Sequence, residues 1–299
     1  MDDLPVLLEL LQSGTKSDCR RALTVLQKHV NNKVISDHSF NNLFEPLLHV
    51  VENNTVDSFR EKGCVILLEL VSKLCIDVGS KEKILNLTSQ QIPKEPSEEV
   101  RLLLSKILLS ALAGWNEKSM TKNLDLLTTT VKSLIKDHYG EVVKIGCEII
   151  LVLSKTNPYF KLQADYFIEA LLLNLDTQPM KVCIFCVKAF HPILIHSTLS
   201  VAQVLPTLEK TWPKMNPPLQ LVTIQTVGNA MIEFDVHEQY FHLMLPVLFL
   251  GICSNFPEIA TEATLIWNQL KSKLTTLKAG NCILSIRVSK NWLPIIVSN

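Results

Sequence analysis

Cys183 and Cys186 form a C-x-x-C, and two histidines, His191 and His196, follow in the same stretch. Structural zinc needs about four ligands, and no second cysteine pair stands at a matching distance. A redox C-x-x-C needs a helix N-terminus that follows a strand, whereas this pair falls inside an apolar helical pattern. His191 and His196 flank Pro192 without the intervening glutamate of an H-E-x-x-H helix. No G-x-S-x-G elbow, phosphate-cradling G-x-x-x-x-G-K-[ST] or G-x-G-x-x-G loop occurs. The remaining cysteines are scattered through apolar segments, where free cysteine behaves as a small hydrophobe. They form no disulfide framework. The expectation is a chain with no catalytic residue, no cofactor, no metal and no small-molecule substrate, whose cysteines and histidines are core or surface groups.

The elements that carry these residues read as helices. Of 299 residues, 47% are hydrophobic and 6% aromatic, with 9 glycines. That is apolar enough for a large core and poor in the turn glycines that sheets use. Lysine plus arginine equals aspartate plus glutamate at 29 each, so the basic footprint of a nucleic-acid binder is missing. The first residues, Met-Asp-Asp-Leu-Pro, lack the pattern of a signal peptide. The most apolar stretch, Phe241 to Cys253, is too short to span a bilayer and contains His242 and Pro246. These features predict a cytoplasmic protein with no membrane and no nucleic-acid partner.

A repeat is legible along the chain. Segments with a turn residue, a polar entry and an amphipathic run begin at Ser17, Val56, Pro96, Gly140, Gln178, Asn216 and Asn255. A second set lies between them, including 40–51, 124–135, 159–175, 199–212 and 238–250. Each unit is two helices, and a unit of this size buries its apolar face only by stacking on neighbours. The predicted fold is all-α, an α-solenoid of about seven two-helix repeats in a right-handed superhelical stack. Residues 1–277 form one array, and 278–299 an atypical tail in which Cys282 to Val288 alternates like a strand. That tail reads as an alternative or mis-predicted terminus replacing a further repeat. Trp115, Trp212 and Trp267 sit at junctions or in helix stripes and are expected in the core.

The spacing, with a basic residue just inside the second helix, resembles the HEAT repeat. That resemblance implies a ladder of second-helix bases and turn acids. Here the basic position is filled by Arg20, Arg60, Arg101 and Lys144, then lapses to Cys183, Gln220 and Ala260, while Asp137 and Asp176 resemble the turn acids. From Val142 onward, SKTNPYFKLQADYFIEALLLNLD, PMKVCIFCVKAF and FPEIATEATLIWNQL resemble the HEAT-repeat dynein axonemal assembly factors. The resemblance implies a non-catalytic scaffold that helps pre-assemble axonemal dynein arms, with dynein arm chains, chaperones or co-chaperones as partners. The second helices of the first four units would line a concave side, with Arg21 and Lys62 as candidate partner contacts. The alternative is a general HEAT adaptor of the phosphatase-scaffold or nuclear-transport kind, though its long acidic stretch and more regular ladder are missing.

Overall fold

The computed structural model describes residues 4–13, 15–32, 37–74, 76–233 and 241–276, and every regular element among them is helical. In chain order these are α1 (Leu4–Ser13), α2 (Lys16–Asn31), α3 (Asp37–Asn53), α4 (Asp57–Lys73), α5 (Val78–Gln91), α6 (Glu98–Leu112), the short α7 (Glu117–Lys122), α8 (Leu124–Ile135) and α9 (Gly140–Thr156). They continue with α10 (Ile168–Thr177), α11 (Met180–His196), α12 (Thr198–Thr211), α13 (Pro217–Glu233), α14 (Phe241–Ile252) and α15 (Pro257–Thr276). Short 3-10 segments occupy Pro158–Leu162, Ala164–Phe167 and Trp212–Lys214. The expected tail, 278–299, lies outside the described residues, as do 238–240 at the start of one expected helix.

Two compact units are present, Met1–Tyr159 and Phe160–Asn299. In the first, α1, α3, α5 and α8 pack successively as one layer, and α2, α4, α6 and α9 as the other. In the second, α10, α12 and α14 form the first layer and α11, α13 and α15 the second. The second-layer helices are the seven whose starts recur in the sequence, so each unit is a stretch of α-solenoid.

Local chemistry explains the helix starts. Thr15 and Asp18 form a capping box before α2: the Asp18 N–H donates to Thr15 Oγ1 at 3.3 Å, and the Thr15 N–H donates to Asp18 Oδ2 at 3.0 Å. Ser97 caps α6 through the Val100 N–H at 3.3 Å, and Asn216 caps α13 through the Leu219 N–H at 3.1 Å. Such a cap is worth about 1 kcal/mol. Leu26, Leu67, Leu108 and Ile150 stand at one register of α2, α4, α6 and α9, and all are fully buried. Truncating any of these leucines to alanine costs roughly 2–5 kcal/mol by cavity formation.

Two stretches differ from the sequence pattern. Residues 159–175 read as one helix, but the chain opens with two 3-10 segments that break at Gln163 before α10. Phe160, Ala164 and Phe167 are buried, with the two phenyl rings 6.2 Å apart. Packing keeps the apolar stripe while the hydrogen bonds shorten to the 3-10 pattern, as in Gln163 N–H to Phe160 O at 2.8 Å. α5 is the other; its half-polar sequence has too weak a stripe to stand out, yet Ile84 and Leu85 are fully buried.

Candidate functional site

Two arginines that reach into the interior of the first unit share one register, while Lys81 of α5, also buried, donates to Ala113 O at 2.8 Å. Four residues past the N-caps Thr15, Val56, Ser97 and Tyr139 stand Cys19, Arg60, Arg101 and Val143. Arg60 is 8% exposed, and its Nε and Nη2 each donate to a carboxylate oxygen of Glu95 at 2.7 Å. Its Nη1 donates to Asn54 O at 2.8 Å, and Nη2 also reaches Asp57 Oδ1 at 2.8 Å. Arg101 repeats the arrangement one repeat later: Nε and Nη2 donate to Asp137 at 2.7 and 3.0 Å, and Nη1 to Glu95 O at 2.9 Å. Each guanidinium therefore ties the turn before its own helix to the turn of the next repeat. The carboxylate facing each arginine holds its positive charge more firmly than in water, raising the pKa of both.

Each acceptor also orders its own turn. The side-chain oxygens of Asn54, Glu95 and Asp137 accept the N–H two residues on, from Val56, Ser97 and Tyr139, at 2.9, 3.0 and 2.8 Å. Glu95 and Asn54 were not singled out by the sequence. The available signal was an acid or amide two residues before each N-cap, recurring at 54, 95 and 137.

The other sequence-derived residues fall elsewhere. Arg20 stands one residue past the rung register, with its Cζ 5.7 Å from the ring centre of Phe59 in α4. Lys144, likewise one residue past, pairs with Glu141 in its own first turn at 2.7 Å. Asp176 is exposed near the end of α10. Arg21 is exposed on α2, while Lys62 on α4 is half-buried and donates to Thr24 Oγ1 at 3.2 Å.

Cys183 and Cys186 are both buried. The Cys183 thiol lies 3.4 Å from Gln178 O and 3.6 Å from Asn174 O, and burial above all pushes its pKa up to about 11. A protonated thiol aimed at carbonyls is a weak nucleophile. Among the described residues, no group of three or more His, Cys, Asp or Glu could hold a metal ion. His191 Nε2 is 3.4 Å from Glu233 Oε1, and His196 stacks edge-on against Phe160. Trp115 and Trp212 are buried, and Trp267 packs on Phe249 beneath Lys271. No helix of the described residues is long and apolar enough to cross a membrane.

The architecture matches solved solenoids at low identity. A designed armadillo repeat protein in complex with the peptide (KR)4 aligns with a TM-score of 0.52 at 16% identity, covering 89% of this chain and 99% of that one. An engineered protein aligns with a TM-score of 0.60 at 14% identity, covering 90% and 68%. Among natural proteins, Dynein axonemal assembly factor 5 of Xenopus laevis is 24% identical over 89% of this chain, and that of Mus musculus 24% over 60%. The chain spans 33% and 21% of the length of these two relatives. A family profile described as "Dynein axonemal assembly factor 5-like, TPR repeats" matches residues 10–276. With that match running through both units, the chain belongs to the Dynein axonemal assembly factor 5-like family.

Proposed function

We propose that this chain is a non-catalytic cytoplasmic scaffold that assists pre-assembly of axonemal dynein arms. Family membership across residues 10–276 carries the reading. In it, residues 1–277 act as a single array, and dynein arm chains, chaperones or co-chaperones lie along the face of the second-layer helices. Solenoids offer extended surfaces suited to such partners, and the designed armadillo relative in fold holds a peptide. The rungs of Arg60 with Glu95 and of Arg101 with Asp137 keep the repeats of the first unit in register. Arg21 and Lys62 contribute the partner-facing charge.

The test is affinity purification of the tagged chain from ciliating cells, read by mass spectrometry. Enrichment of dynein heavy and intermediate chains with chaperones is expected, and Arg21→Glu with Lys62→Glu reduces that enrichment without unfolding the array. Recovery of phosphatase subunits or transport cargo without dynein overturns the assignment.

A further inference from the structure

The large apolar side chains left exposed concentrate in the second unit. Leu162, Tyr166 and Leu173 are 71%, 56% and 56% exposed, and Leu199 in the first turn of α12 is 53% exposed. Single exposed apolar residues are ordinary, whereas a run of them marks an interaction surface. The first three follow one another along the 3-10 segments and α10. Glu169 and Asp176, also exposed, stand with Leu173 at the four- and three-residue steps that keep α10 side chains on one face, and Leu162 and Tyr166 continue the exposed row along the 3-10 segments. Phe160, Ala164, Phe167 and Leu171 occupy the opposite face and are buried, so the core fixes which way the stripe points. The Ser197 hydroxyl donates to Asp165, which brings the first turn of α12, with Leu199, against this stretch.

The charge within the stripe selects its occupant. Glu169 and Asp176 form no hydrogen bond or ion pair among the described residues, and each lies between or beside the apolar positions. Two copies of this face would set like charges against each other. A partner with an apolar row flanked by cations would instead neutralise both carboxylates while covering the leucines. The stripe runs on helical segments, and among the described residues it offers no strand edge to receive an extended peptide. Its spacing matches that of a second helix laid alongside.

We propose that Leu162, Tyr166, Glu169, Leu173 and Asp176, with Leu199, form a docking surface for a basic amphipathic helix of a partner protein. The surface is about 20 Å long at the rise of a helix, enough for four turns of the partner. It belongs to the second unit, whereas Arg21 and Lys62 belong to the first, and it stands whether or not the dynein-assembly reading does.

Fluorescence anisotropy with the full chain and the fluorescein-labelled peptide LKKLLKLLKKLLKL, an amphipathic helix, tests this surface. Saturable binding is expected, weakened about tenfold or more by Leu173→Ser or by Glu169→Lys with Asp176→Lys. The charge-reversed variant gains affinity for the acidic counterpart LEELLELLEELLEL. All three substitutions are at exposed positions, and an unchanged circular dichroism melt confirms that the fold is kept. Arg21→Glu leaves peptide binding unchanged. The proposal is overturned by absent binding, by equal binding of the basic and acidic peptides, or by stripe variants that bind like the parent. A dimer that Leu173→Ser dissolves in sedimentation also overturns it, because the occupant would then be a second copy.

Discussion

The two units hold their repeats together by different means. In the first, Arg60 and Arg101 carry charge from one repeat to the turn of the next. At the same register of the second stand Cys183, Gln220 and Ala260. Cys183 reaches only carbonyls of its own pair, and Gln220 donates to Trp212 O at 3.2 Å. There, helices approach where glycine removes a side chain. A Cβ on Gly228 of α13 would meet Ile266 of α15 at 2.6 Å, and one on Gly251 would meet Ile224 at 2.5 Å. A solenoid can thus fix its register with buried ion pairs or with close helix packing, and the two solutions fail differently. The ion pair is sensitive to losing one partner; the close approach is sensitive to added volume.

The largest effect expected from this contrast is at Arg60. Arg60→Ala leaves Glu95 buried without its cation and destabilises the first unit by roughly 3–5 kcal/mol. Native-state hydrogen exchange should show α4 and α6 opening while α13 and α15 keep their protection. Replacing both partners, Arg60→Met with Glu95→Leu, removes the stranded charge and recovers most of the loss. If Arg60→Ala costs no more than an ordinary surface substitution, the rung does not hold the first unit.

Added volume should injure the second unit instead. Gly228→Val forces Ile266 from its place and costs about 1–3 kcal/mol, with faster exchange in α13 and α15 and none in α4. Below this comes Cys183→Ala, which removes a weak thiol donor from a site whose acceptors belong to a helix end. Its cost is about 1 kcal/mol or less, far under that of Arg60→Ala at the same register. Equal losses at the two positions would erase the distinction between the units.

Much of this was legible in the sequence because helical repeats write themselves as period. The second-layer helices bury a stripe at each turn, and their recurring polar entries gave starts within a few residues of α2, α4, α6, α9, α11, α13 and α15. Arg60, Arg101 and Asp137 were also visible, since a base inside a helix start and an acid in a turn are local signals. Arg20 and Lys144 looked equivalent to them because one residue along a helix is a small error in sequence. In space it is a rotation of about 100°, which turns Arg20 onto Phe59 and Lys144 back onto Glu141. Glu95 stayed hidden for a related reason. Its value comes from a guanidinium 35 residues earlier in the chain, and nothing in the turn itself announces that partner. The exposed row along the 3-10 segments and α10 stayed hidden because 159–175 reads as one apolar helical pattern, and apolar residues on its outer face look the same in sequence as those on its buried one.

The smallest effect separates the units by pH. Burial first, then the charges of Lys161 and His191, lower the pKa of His196 below its ordinary 6.5. Between that lowered value and 6.5 the unfolded chain binds more protons than the folded one, so stability rises with pH through the window and is complete above it. The second unit should therefore soften as pH falls below 6.5. In the first unit, Asp18 and Asp77 have pKa values held below 3.8 by hydrogen bonds from Thr15 and Ser80. Their contribution is present above 3.8 and is lost only as pH falls through the lowered values. Hydrogen exchange corrected for its intrinsic pH dependence, followed from pH 7.5 to pH 5, should loosen α11 and leave α2 and α5 unchanged. His196→Gln should flatten the response of α11. A slope that survives this substitution would assign the sensitivity to another group, and with it the claim that His196 makes the second unit the more acid-labile of the two.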